Sequence, residues 1–364
     1  MNTQSTAEII TRAWIEVDLG ALVRNGQALA RHARVPLLPM VKADAYGLGV
    51  VEVVRALSKV DPLGFGVATV EEGRELRAAR VSRPVLVFTP LLPDDFAAAR
   101  AARLTPALGE PLAIAAWADG GGGPWHLAID TGMSRAGLRW DAIGSVADLV
   151  RRLPPEGAFT HFHSAELDDG SMALQERRFR DAVSALPARP ALLHTDNSAA
   201  ITRRLPHQEA PWSIVRPGVF LYGVGSGTNA LLVPEPVVRV SARVVELRDV
   251  RAGESASYDA TWKASRPSRV ATLAIGYADG YRRSLGNVGS VLVHGARAPV
   301  VGTVTMDMTM SDVTGIPCAI GDVATLVGRD GAESTTVEDV ARACALSPYE
   351  ILTGLRQRLP RRYV

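Results

Sequence analysis

Along residues 14 to about 234, short apolar runs alternate with amphipathic segments and with clusters of Gly, Pro, Asn and Asp, the rhythm of a strand followed by a helix, many times over. The runs at 37–41, 64–68, 85–88, 104–108, 126–129, 158–162, 192–194 and 213–215 have the length of buried strands and are too short for ordinary helices. Eight such strands with helices between them predict an α/β fold, an N-terminal (β/α)8 TIM-like barrel. Among the intervening segments, 69–80 reads as a helix that opens on a capping box, Thr69 with Glu72, and turns Leu76 inward. After Pro234 the pattern changes. Runs at 237–247, 268–275, 288–294 and 322–327 have β character with few helical stretches between them, which predicts a C-terminal, mostly β domain. The expected division is a barrel over 12–235 and a β domain over 236–364, although the run at 14–17 can pair with either part. Glycines 120–123 read as a flexible loop.

Composition narrows the classes of function. Forty basic against 38 acidic residues leave a net charge of +2, and no basic run marks a nucleic-acid groove; Arg361 and Arg362 read as a solvated tail. Residues 1–12 are polar, without the apolar core of a secretion signal, and no stretch reaches the ~18 apolar residues of a membrane span. Cys318 and Cys344 lack the spacing of a disulfide framework or a zinc ribbon. A cytoplasmic setting is expected, with no membrane or nucleic-acid partner.

Barrels of this kind carry their chemistry at the C-terminal ends of the strands. Polar residues at those ends are Lys42, Asp130, His161, His163, His194 and Arg216. Lys42 follows the apolar run at 37–41, where desolvation favours a neutral amine able to form a Schiff base. A lysine that merely snorkels from a strand end is the alternative reading.

The segment Val41-Lys42-Ala43-Asp44-Ala45-Tyr46-Gly47-Leu48-Gly49 resembles the pyridoxal-phosphate attachment motif of the alanine racemase family. Seven further segments resemble that family in the same order: 130–137 (DTGMSRAG), 160–162 (THF), 197–200 (NSAA), 215–218 (VRPG), Ser257-Tyr258, 275–280 (IGYADG) and Met306-Asp307. The resemblance implies a pyridoxal 5'-phosphate-dependent racemase interconverting L- and D-alanine, assembled as a head-to-tail homodimer. Cell-wall synthesis and amino-acid breakdown are both consistent with that reaction.

By the same resemblance, Lys42 carries the cofactor and Lys42 and Tyr258 are the two acid/base groups, one for each face of the substrate carbon. Tyr46, Asn197, Ser198, Gly218 and Val219 belong to the cofactor site, with phosphate contacts from Tyr46, Ser198 and the backbone at Gly218 and Val219. Arg216 lies against the pyridine nitrogen, and His161 and Arg216 are the cations expected to favour a Tyr258 phenolate. Arg135 and the amide of Met306 meet the substrate carboxylate. Tyr258, Tyr277 and Met306 come from the neighbouring subunit. No metal is implied.

Two positions depart from the family pattern. Many members have a carbamylated lysine where this chain has Ala128, so another anion, such as chloride, or a repositioned acid is expected to support Arg135. Gln357 stands where a tyrosine often reaches the phosphate, which suggests room for serine or another slightly larger amino acid. Thr195-Asp196 brings a carboxylate near the cofactor edge without an assigned role.

Rival readings are a metal-dependent barrel hydrolase built on His161, His163, Glu166, His194 and Asp196, a non-catalytic cofactor carrier, and a decarboxylase or aldolase of the same fold. The first leaves the Lys42 segment and the C-terminal domain without a purpose. Tyr258 and Arg216 favour racemisation over the others.

Overall fold

The computed structural model describes residues 11–205, 212–227 and 229–364; most of the polar segment expected over 1–12 lies outside the described residues. The chain divides into two compact units, Leu19–Glu235 and the residues up to Asp18 together with Pro236–Val364.

In the first unit the strands Phe65–Val67, Val85–Val87, Thr105–Leu108, His126–Asp130, Gly157–Phe159 and Leu192–His194 pair in that order, all parallel. Two further segments close the ring. Residues 37–41 bridge to both sides, through Met40 to Gly66 and Leu37 to Val215, and Ser213 N donates to Leu193 O at 2.9 Å. Pro36 and Pro39 have no N–H to donate, so this part of the barrel is held by isolated bridges rather than a continuous ladder.

Helices follow the strands. Val70–Ala78 starts where Thr69 accepts a hydrogen bond from Glu72 N, and Ser198–Arg203 starts where Asn197 accepts one from Ala200 N. Only half of the capping box expected at Thr69 forms: the Glu72 carboxylate accepts from Ala68 N and Ala43 N instead of closing the box.

The second unit is organised on the 13-residue strand Val238–Val250. Its first half pairs antiparallel with Ala13–Val17 and with Val323–Asp330, and its second half with Ser268–Leu273. Ala13–Val17 also pairs in parallel with Arg361–Tyr363. The first strand therefore belongs with the β unit, which corrects the expected division at residue 12. Ile15 and Val17 are fully buried there, and ladders on both edges satisfy the backbone of this strand. The β unit also contains helices Val337–Cys344 and Pro348–Thr353, each opened by a capping box, Thr336 with Asp339 and Ser347 with Glu350. Among the described residues no helix is long and apolar enough to cross a membrane.

Candidate active site

Lys42 stands at the C-terminal end of segment 37–41 and begins an unusual turn. Ala43, Asp44, Ala45 and Tyr46 all have left-handed backbone angles, with φ of 53°, 53°, 52° and 58°. Each such residue costs roughly 1–2 kcal/mol, so the surroundings must impose the turn. Glu72 does so by accepting from Ala43 N at 2.7 Å, and Asp44 by accepting from Val50 N at 2.7 Å. The Lys42 side chain opens toward solvent, yet the surrounding barrel removes enough of its hydration to lower its pKa. The charge of Arg135 lowers it further, and Glu72 opposes both.

Arg216, at the end of the eighth barrel segment, is almost fully buried. Its Nη1 donates to His194 Nδ1 at 2.7 Å and His194 O at 2.8 Å; its Nη2 donates to Thr160 O at 2.8 Å, Thr195 O at 3.0 Å and His161 Nδ1 at 3.3 Å. The guanidinium also lies over the rings of Phe159 and Phe88. Burial brings its pKa down to about 10, against the opposing pull of Asp196, so it remains charged at neutral pH. His161 is different. Burial, followed by the charges of Arg216, Arg135 and Lys42, pushes its pKa down to about 3. In this chain it is a neutral imidazole, not the cation expected from sequence, and because its Nδ1 accepts from a guanidinium its proton sits on Nε2.

Tyr46, Ser198, Gly218 and Val219 converge beside Lys42's turn. Tyr46 is buried and stacks on Tyr222, ring centroids 4.5 Å apart. Ser198 Oγ accepts from Gly218 N at 2.9 Å and from Phe220 N at 3.4 Å, and Val219 begins the short 3-10 turn Val219–Tyr222. A Cβ at Gly218 would lie 2.6 Å from Tyr46 Oη, so only glycine allows that approach. Asn197 takes a supporting place, as the cap of the helix that starts at Ser198.

The segment after His126–Asp130 carries Arg135. Asp130 Oδ1 accepts from the amides of Gly132, Met133 and Ser134 at 2.9, 3.0 and 3.1 Å and so shapes the loop, a structural role for a residue singled out as a polar strand end. Arg135 is exposed, and among the described residues no carboxylate pairs with it. Among the described residues no repositioned acid takes the place of a side chain at 128. Ala128 instead packs with Ala107 and Phe159, against Phe88.

In the β unit, Tyr258, Tyr277 and Met306 share one loop cluster. Tyr277 N donates to Thr305 O at 2.9 Å, Ala278 N to Met306 O at 3.0 Å, and Thr303 Oγ1 to Tyr258 O at 3.3 Å. All three side chains are exposed, Tyr258 by 69%. Buried Asp279 braces the cluster, accepting from Gly276 N and pairing with Arg12 and Arg358. Gln357 is exposed beside Arg358.

Three of the five residues of the metal-site alternative are committed elsewhere. His194 accepts from Arg216, Asp196 pairs with Arg204, and His163 Nδ1 bonds Ser164 Oγ. Thr195-Asp196, without a role at the sequence level, proves to be scaffold: the Thr195 hydroxyl donates to Asp196 Oδ1 at 2.6 Å, and the Asp196 carbonyl accepts from Arg216 N. The hold of Glu72 on the Lys42 turn, and the places of Gln175 and Phe88, had no signal in the sequence. Buried Gln175 donates to Thr131 Oγ1 and His161 O and accepts from His163 N, tying two strand ends together. Its helical setting offered no signal of this.

The residues present fit pyridoxal phosphate. The side-chain-free approach at Gly218, the adjoining hydroxyls of Tyr46 and Ser198, a buried permanent cation and an amine of lowered pKa match its phosphate, its ring nitrogen and its aldehyde.

The family description "Alanine racemase, N-terminal domain" matches residues 17–226, and "Alanine racemase, C-terminal domain" matches 237–363. An alanine racemase of Nostoc sp. is 35% identical over an alignment of 370 positions, covering 96% of this chain and 95% of the relative. The structure is similar to that of an alanine racemase from E. faecalis, with a TM-score of 0.91 at 30% identity, covering 97% of this chain and 98% of that one. It is similar, too, to an alanine racemase from Bartonella henselae with covalently bound pyridoxal phosphate, with a TM-score of 0.90 at 28% identity, covering 98% of this chain and 100% of that one.

Proposed function

We propose, from the premise that this chain belongs to the alanine racemase family, that it interconverts L- and D-alanine with pyridoxal phosphate held on Lys42. The observation that carries the reading is the pairing, at one barrel mouth, of a lysine of lowered pKa with a buried guanidinium that stays charged.

When bound, pyridoxal phosphate supplies a conjugated ring that acidifies the Cα–H bond of an attached amino acid. Lys42 holds the cofactor, and its amine then takes or returns the Cα proton on one face. Tyr258 of the partner subunit serves the opposite face, since inversion needs a proton removed from one side and delivered to the other. Tyr46, Ser198 and the backbone at Gly218 and Val219 would hold the phosphate. Arg216 would face the ring nitrogen as a fixed cation that keeps its own proton and would leave that nitrogen as an acceptor. Arg135 and the amide of Met306 of the partner subunit hold the substrate carboxylate. His161, neutral in the chain alone, serves as a hydrogen-bond donor through Nε2 rather than as a charge.

A homodimer with shared sites is supported by the exposure of Tyr258, Tyr277 and Met306. Cys318 and Cys344 remain free thiols, which supports a cytoplasmic setting. Exposed Gln357 favours a second reading in which serine is also accepted. Substituting Gln357→Tyr should then lower the serine-to-alanine rate ratio, and an unchanged ratio would remove that reading. The main test follows Cα-proton exchange and optical rotation for L-alanine in D2O. Exchange with loss of rotation is expected, whereas exchange with retained rotation would mean that only one base works.

A further inference from the structure

Inside the barrel, two histidines form a chain with Arg216 for which racemisation as described above has no use. Arg216 Nη1 lies 2.7 Å from His194 Nδ1, and His194 Nε2 lies 2.8 Å from His126 Nδ1. The two imidazoles meet across the intervening strand because residue 157 is glycine: a Cβ there would lie 2.5 Å from His126 Cε1 and Nδ1. Phe159 stacks on the His194 ring, centroids 5.0 Å apart and planes 12° from parallel, and leaves it little freedom to turn.

The proton positions follow from the donors. A guanidinium has only donors, so His194 Nδ1 must accept. Burial, followed by the Arg216 charge, holds the pKa of both imidazoles far below the ordinary histidine range, and each is neutral with a single proton. The proton of His194 is therefore on Nε2, from which it donates to His126 Nδ1. The proton of His126 must then be on its own Nε2, a buried atom without a hydrogen-bond partner among the described residues, with Glu156 Oε2 3.9 Å away. The opposite arrangement would set a donor against a donor at Arg216.

We propose that His126 is a positioning residue for the racemase: by accepting the His194 Nε2 proton it holds that ring where Nδ1 accepts from Arg216, and so it orients the guanidinium that would face the cofactor. The proposal rests on the reading of Arg216 given above. Removing the acceptor at 126 leaves the buried His194 Nε2–H without a partner, so the ring is no longer held in place and the guanidinium shifts with it.

The test combines 15N NMR of histidine-labelled holoenzyme with kinetics of two variants. In the wild type, His194 should show an unprotonated Nδ1 and a protonated Nε2. His126→Asn offers an amide oxygen near the place of Nδ1 and should keep both the His194 signature and kcat within about threefold, whereas His126→Leu offers no acceptor, should move the His194 Nε2 resonance away from its hydrogen-bonded position and should lower kcat about tenfold with little change in KM. A wild-type His194 protonated at Nδ1 would overturn the proposal, as would a Leu variant with unchanged kcat or an Asn variant as impaired as Leu. If the Leu variant fails to fold, the wild-type spectrum and the Asn variant still decide. A wild type with the expected tautomer that leaves L-alanine unchanged would refute the catalytic reading itself, an outcome distinct from a racemase with the wrong tautomer.

Discussion

At Gly218 the missing side chain lets the Tyr46 hydroxyl reach the backbone. Gly218→Ala places a Cβ 2.6 Å from that oxygen, and because Tyr46 is buried and stacked on Tyr222 it has little room to retreat. Overpacking of this kind costs about 1–3 kcal/mol. The expected outcome is a cofactor that dialyses away roughly tenfold more readily, the lower part of that range, seen as faster loss of its visible absorbance; retention equal to wild type would show that the approach is not needed. Lys42 permits a second check. Its pKa is lowered below 10.5 mainly by burial and then by Arg135, so the cofactor-free protein should hold more neutral amine at any pH below that value than a solvated lysine would. Competitive amine labelling followed by mass spectrometry should give Lys42 an apparent pKa below 10.5, and Arg135→Ala should move it upward. A fall on that substitution would reverse the assigned sign.

At the scale of elements, the turn from Ala43 to Tyr46 depends on its neighbours. Glu72 anchors both that turn and Ala68, the residue before the helix cap, so Glu72→Ala should lower stability by about 1–3 kcal/mol for the buried or strained amides it abandons. Thermal unfolding and cofactor uptake should fall together; lost uptake at unchanged Tm would confine Glu72 to the site. Ile15→Ala, at a fully buried position of the β unit, should cost about 2–5 kcal/mol, read by thermal unfolding. The barrel strands were legible because each is a short apolar run between turn residues. The place of Ala13–Val17 was not, since its partners lie beyond residue 237 and local pattern cannot choose between sheets. The helices at 337–344 and 348–353 were legible in principle from their capping boxes and were missed beneath a β-rich pattern. The pairing of His126 with His194 was hidden more deeply. Their contact spans two barrel strands, and only glycine at 157 makes it possible. The charge state of His161 was likewise misread, because motif spacing carries no measure of burial.

At the scale of the whole molecule, the proposed dimer has the two acid/base groups of each site on different subunits, Lys42 from one barrel and Tyr258, exposed on the β unit, from the other copy. Two inactive proteins, Lys42→Ala and Tyr258→Phe, make the most direct measurement. Each alone should convert L-alanine at a small fraction of the wild-type rate. Mixed, unfolded and refolded together with pyridoxal phosphate, they should form hybrids with one site that lacks both groups and one site that is intact. Random pairing gives such hybrids as half of the dimers, so the mixture should recover roughly a quarter of the wild-type activity. Recovery of that size would establish racemisation across the subunit boundary. No recovery, with hybrid dimers verified by mass spectrometry, would contradict it.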